Sequence, residues 1–140
     1  MFQQMKKRIK NEKGLTLIEL LAVIVILAII SAIAIPAIGG LIENSRVKAM
    51  KSDAVNIINA ANLYYSDGNT VEFDHTNTLA LEYVGDSGRF EEYSVDADLL
   101  FTGNAEDGNA TVSITEASVK DIDAGSADGN GGTVTTSKDN

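Results

Sequence analysis

From Leu20 to Ile42 the chain carries no charged side chain (LLAVIVILAIISAIAIPAIGGLI). At about 1.5 Å rise per residue this is enough helix to cross a ~30 Å hydrocarbon core. After Ile42 the uniform apolarity gives way to a stripe. Val47, Met50, Ala54, Ile57, Ala61 and Tyr64 recur at alternating intervals of three and four, Ile58 and Tyr65 widen the stripe, and Arg46, Lys48, Lys51 and Asp53 take other faces. The two patterns predict one helix from Leu15 to Ser66, on the order of 75 Å long. It is apolar all round over 15–42 and amphipathic over 43–66. Asp67-Gly68-Asn69 supplies turn residues and a permissive glycine to end it. Pro36, Gly39 and Gly40 bring three poor helix formers close together, so the helix is expected to be weakest there.

Residues 67–140 read as a small β-rich head packed on the amphipathic half of the helix. Thr76 to Val84, closed by Gly85, predicts a short helix capped by Thr76 or Thr78, with an edge strand as the alternative. Tyr93, Val95, Ala97, Leu99 and Phe101 alternate with Ser94, Asp96, Asp98 and Thr102, which predicts a half-buried strand. Gly103 to Asn109 is rich in turn formers and Ala110 to Thr115 alternates again, completing a hairpin. A last strand is expected at Thr133–Thr136, after a Gly- and Asp-rich loop from Asp121 to Gly132. The fold class is α+β, a long helix laid across a small antiparallel sheet.

Charge sharpens the division. The 140 residues have a formal net charge of -9, from 11 basic and 20 acidic side chains. Residues 1–14 hold five of the basic ones and one acidic, leaving six and nineteen after Gly14, a net of -13. So acidic a remainder argues against a nucleic-acid surface, which needs clustered Lys or Arg. The basic residues before the apolar helix stay cytoplasmic by the positive-inside rule, which sends Glu43 onward outside. With no cysteine the head holds together without disulfides. No catalytic constellation is present: the single histidine, His75, lies in a polar loop, and no Ser, Asp or Glu sits in a nucleophile or metalloenzyme motif, so the chain is not expected to be an enzyme. Asp121, Asp123 and Asp128 with Gly125 and Gly129 could offer carboxylates to calcium, but they lack EF-hand spacing, and a solvated acidic loop is the favoured reading. No metal or cofactor is expected.

The junction between the basic and apolar segments is the most specific stretch. A secretory signal peptide places its small-residue cleavage site after the apolar run, whereas Gly14 precedes it, directly after Lys6, Lys7, Arg8, Lys10 and Lys13. Glu19 then sits just inside the apolar helix, where an unpaired carboxylate costs several kcal/mol and calls for a partner. Thr16 with Glu19 also has capping-box spacing, the lesser reading because its neighbours are apolar. The run K-G-L-T-L-I-E-L-L, with Glu19 fifth after Gly14 and Pro36 twenty-second, resembles the class III leader and N-terminal helix of the type IV pilin superfamily, which also holds the pseudopilins of type II secretion and the competence pilins. Leu15 departs from the Phe usual in that family.

The resemblance implies a filament subunit. A prepilin peptidase would remove residues 1–14 by cutting between Gly14 and Leu15, and Leu15 would be N-methylated. Glu19 of one subunit would pair with the Leu15 amine of its neighbour. The helix would melt around Pro36, Gly39 and Gly40 on leaving the bilayer. An assembly platform and a separate ATPase would extract the subunits, which lie in the inner or plasma membrane first and in an extracellular homo-oligomeric filament afterwards. A pseudopilin of a secretion or DNA-uptake system is the alternative, and a membrane-anchored surface protein that never polymerises is further off.

Overall fold

The computed structural model describes the backbone of residues 2–125 and 133–138 and the side chains of 16–125 and 134–137. Helix α1 spans Phe2–Ser66. It therefore starts well before Leu15, because the basic segment is itself built from good helix formers such as Gln, Lys, Arg and Met, and one glycine at position 14 is too small a penalty to stop it. The helix also runs through Pro36, Gly39 and Gly40, although Pro36 removes the hydrogen bond that would go to the Ala32 carbonyl.

Contacts divide the chain into two compact units at Leu41/Ile42. In the first unit the large apolar side chains of α1 from Leu17 onward find no cover. With Ile42, they stand 47–71 % exposed. None of this apolar stretch is buried, and among the described residues this is the one helix long and apolar enough to cross a membrane.

In the second unit the predicted stripe is the buried face of α1: Met50, Ala54, Ile57, Ile58, Ala61 and Tyr64 are all at most 2 % exposed. They pack with Phe73, Phe90, Tyr93, Phe101, Val112 and Ile114 from the sheet in a single core. The helix ends as expected. Gly68 adopts φ +87°, and carbonyls left over in the last turn accept from Asp67 N–H (to Leu63), Gly68 N–H (to Tyr65) and Asn69 Nδ2 (to Tyr64).

The sheet is an antiparallel meander of five strands in chain order: β1 (Phe73–Asp74), β2 (Phe90–Val95), β3 (Phe101–Asp107), β4 (Ala110–Ala117) and β5 (Thr133–Lys138). Two short helices, α2 (Thr78–Val84) and α3 (Val119–Ala124), complete the head. Four details differ from the sequence pattern. The strand predicted to run from Tyr93 to Thr102 is cut in two, because Asp96 Oδ1 accepts from the Asp98 and Leu100 N–H groups and Leu99 takes φ +61°, folding 96–100 into a loop between β2 and β3. Ala97 is exposed as a result. The stretch from Gly103 is strand rather than turn as far as Asp107; only Gly108 and Asn109 form the hairpin loop, with Gly108 at φ +64°.

The cap of α2 is Asn77, whose side chain accepts from the Leu79 and Ala80 N–H groups; Thr76 is held instead in a turn on Asp74, and Thr78 is already helical. Finally, Asp121 to Ala124 are helix, not loop. Ser118 and Asp121 form a reciprocal capping box, and Gly125 closes the helix in the left-handed conformation.

Gly103 has a packing reason. A Cβ there would lie 2.9 Å from the Phe101 ring and 3.1 Å from the Glu92 carbonyl, so β2, β3 and a buried ring meet over it.

Candidate functional site

The residues singled out by the sequence lie on α1. Gly14 and Leu15 fall within its helical backbone, ahead of the first described side chain, Thr16. In the uncut chain the helix is already running at Thr16, so this residue is interior there. Glu19 is exposed on the apolar segment, and among the described residues it makes no ion pair. No charged side chain follows it before Glu43. Its carboxylate thus sits at the end of an uncovered hydrocarbon surface with no counter-charge from its own described chain. The chemistry open to it is a charge-assisted hydrogen bond to a cation brought from outside.

Pro36, Gly39 and Gly40 are exposed on the same surface, and a Cβ added at either glycine would meet nothing within 4 Å. No packing among the described residues requires glycine at these positions. What the glycines do change is the stability of the helix, each by roughly 1 kcal/mol, beside about 3 for the proline.

The head holds an ion network that the sequence did not reveal. Arg89 donates from Nε to Asp107 (2.6 Å) and from Nη1 to Asp53 (2.9 Å), and Arg46 approaches Asp107 at 3.5 Å. These contacts, to Asp107 first and Asp53 second, hold the Arg89 guanidinium above its ordinary pKa. They tie α1 to Arg89, directly before β2, across a sequence separation of 36, and to the end of β3 across one of 61. No local signal could have found them. The close fit extends to glycines: a Cβ at Gly108 would collide with Arg46, and one at Gly88 with Asp53.

For metal binding, Asp121 is spent on the Ser118 N–H and Oγ (2.9 and 2.7 Å), which hold its carboxyl below the usual range. Asp128 and Gly129 lie outside the described residues. Among the described residues no group of three or more His, Asp or Glu is placed to hold an ion. His75 is exposed, beside the Tyr93 carbonyl.

Comparison with known proteins bears on the α1 segment alone. Residues 9–35 match the family model of the prokaryotic N-terminal methylation motif, the class III leader of type IV pilins. No curated protein and no solved structure matches the chain. The chain thus has the N-terminal motif of a type IV pilin-like or pseudopilin precursor, which implies processing by a prepilin peptidase, and its apolar helix fits membrane anchoring before assembly.

Proposed function

We propose that this chain is a structural pilin subunit, cut between Gly14 and Leu15 and polymerised into an extracellular filament through its N-terminal helix. The observation that carries the reading is Glu19, a carboxylate without a counter-charge among the described residues, on a bare apolar helix directly after the leader. A simple anchor would be better off without it. In a filament, Glu19 of one subunit meets the N-methylated Leu15 amine of the next, which offsets the cost of burying both charges and sets the axial register. The helices exchange lipid for each other, one apolar environment for another, so this pair and side-chain packing select the geometry. In this reading residues 1–14 are the leader, 15–42 the filament core, 43–66 the helical support of the head and 67–140 the surface. The work of extraction comes from a platform and ATPase supplied by other chains.

Cleavage also makes sense of Gly14. A protease binds its substrate extended, and a glycine before the scissile bond lowers the cost of opening the helix there. Filaments sheared from cells should give a subunit with an intact mass starting at Leu15 and carrying a methyl on its amine. A filament subunit that retained Met1 to Gly14 would end this reading, and the absence of shearable filaments in cells that secrete or take up DNA through the system would point to a pseudopilin.

Pro36, Gly39 and Gly40 carry a further prediction. In lipid, freed backbone groups have no partner, which favours the helix seen here. In a filament, neighbouring subunits and trapped water offer partners, and the penalty at three positions is released. A filament map should show helix lost between about Ile35 and Leu41, and continuous helical density through Pro36 would refute it.

A further inference from the structure

The head presents two grooves of opposite charge on different sides of the sheet. The first, about 300 Å³, is lined by Arg89, Glu91, Glu92, Asn104 and Glu106. It opens on the solvent side, since Tyr93, Gly103 and Ala105 alternate with its lining residues and face the core. A bulge in β2 between Phe90 and Glu92 turns both Glu91 and Glu92 outward, where regular alternation would bury one. Among the described residues the one cation lining this groove, Arg89, is already committed to Asp53 and Asp107. Among the described residues Glu91, Glu92 and Glu106 make no ion pair, so three carboxylates share the groove uncompensated.

The second groove, about 340 Å³, lies on the helix side between α1 and α3 and is lined by Lys48, Lys51, Ser52, Val55, Ile122 and Asp123. Lys48 and Lys51 are three residues apart on α1 and share one face. Neither makes an ion pair among the described residues, Asp123 notwithstanding. After Gly14 the chain has six basic residues, and Arg46 and Arg89 are held in the internal network. Lys48 and Lys51 are therefore the one place where described positive charge is concentrated and free to meet another molecule.

We infer that Lys48 and Lys51 of one copy dock against the groove of Glu91, Glu92 and Glu106 of the next copy. Subunits without residues 1–14 each carry a net charge of -13 and repel one another, and association needs positive charge delivered where the neighbour is most negative. Both halves of that match are on this chain and on different faces. A contact between unlike faces is heterologous, and where its rotation does not close into a ring it propagates as a helical array, the geometry a filament needs. The inference rests on the filament reading and supplies the contact between heads that the Glu19 pair, buried among the helices, does not.

The test uses sheared filament yield from cells expressing the full chain. Lys48→Glu with Lys51→Glu should lower the yield about tenfold, equivalent to ~1.4 kcal/mol per contact, and adding Glu92→Lys with Glu106→Lys should restore it. The chain has no cysteine, so Lys48→Cys with Glu92→Cys should give a disulfide-linked ladder of subunits under mild oxidation, and each single variant at most a dimer. Reversals that keep wild-type yield, or a cysteine pair that forms no ladder in filaments, would overturn the contact alone. The cysteine pair decides the matter even where the charge variants fail to fold. Wild-type cells without filaments would instead remove the filament reading itself.

Discussion

Glu19→Val should abolish filaments while leaving the chain abundant in the membrane. On insertion scales an acidic residue inside a membrane helix costs about 3 kcal/mol and a valine gains a few tenths, so the substitution makes a better anchor. Assembly moves the other way. In the proposed filament, loss of the carboxylate would leave the Leu15 amine of the neighbouring subunit to enter an apolar bundle unpaired, a loss of about 3–5 kcal/mol per contact for a broken buried pair. One such deficit per subunit, repeated along a polymer, is enough to prevent growth. Glu19→Gln keeps the shape and removes the charge, and it should fail in the same way. Comparison of the sheared and membrane fractions by immunoblot decides it: normal filament yield from Glu19→Val would sink the pairing mechanism.

Tyr64→Ala should be the most damaging single change in the head. The ring is 1 % exposed and lies edge-on to Tyr65, Phe73 and Tyr83 with centroids 5.3–5.5 Å away, while its hydroxyl accepts from Asn77 Nδ2 at 3.1 Å. It thus joins the last turns of α1 to β1 and to the cap of α2. Truncating a buried aromatic to alanine costs about 3–5 kcal/mol, and in a domain near 100 residues each kcal/mol lowers Tm by roughly 4–8 °C. A fall of at least ~12 °C is expected from the same scaling. Tyr64→Phe removes only the hydroxyl, and Asn77 Nδ2 keeps the Glu72 carbonyl, so its cost should be about 1 kcal/mol. Leu63→Ala, at a neighbour that is 62 % exposed, should change little. Near-UV circular dichroism melts of the detergent-solubilised chain would show the order; a Tyr64→Ala melt indistinguishable from Leu63→Ala would mean that the aromatic cluster is not the clasp described here.

What the sequence by itself determined is what short-range pattern can encode. An uninterrupted apolar run specifies a helix long and apolar enough to cross a membrane with no reference to any partner, and the stripe from Val47 to Tyr65 specifies its buried face because a helix repeats every 3.6 residues wherever it packs. The Gly14, Leu15 and Glu19 junction is likewise contiguous, so the candidate site was legible before any fold. The tertiary structure decided whatever rests on a competition between local options. Asp96 folds the strand pattern into a loop because Val95 and Phe101 must lie opposite each other, each inward-facing, in adjacent strands. Asn77 outcompetes two threonines as the α2 cap because Asp74 has claimed one and the helix the other. The ion network of Arg46, Arg89, Asp53 and Asp107 and the two charged grooves join residues far apart in the chain. No sequence period places them, because their distances exist only once the strands have registered against the helix.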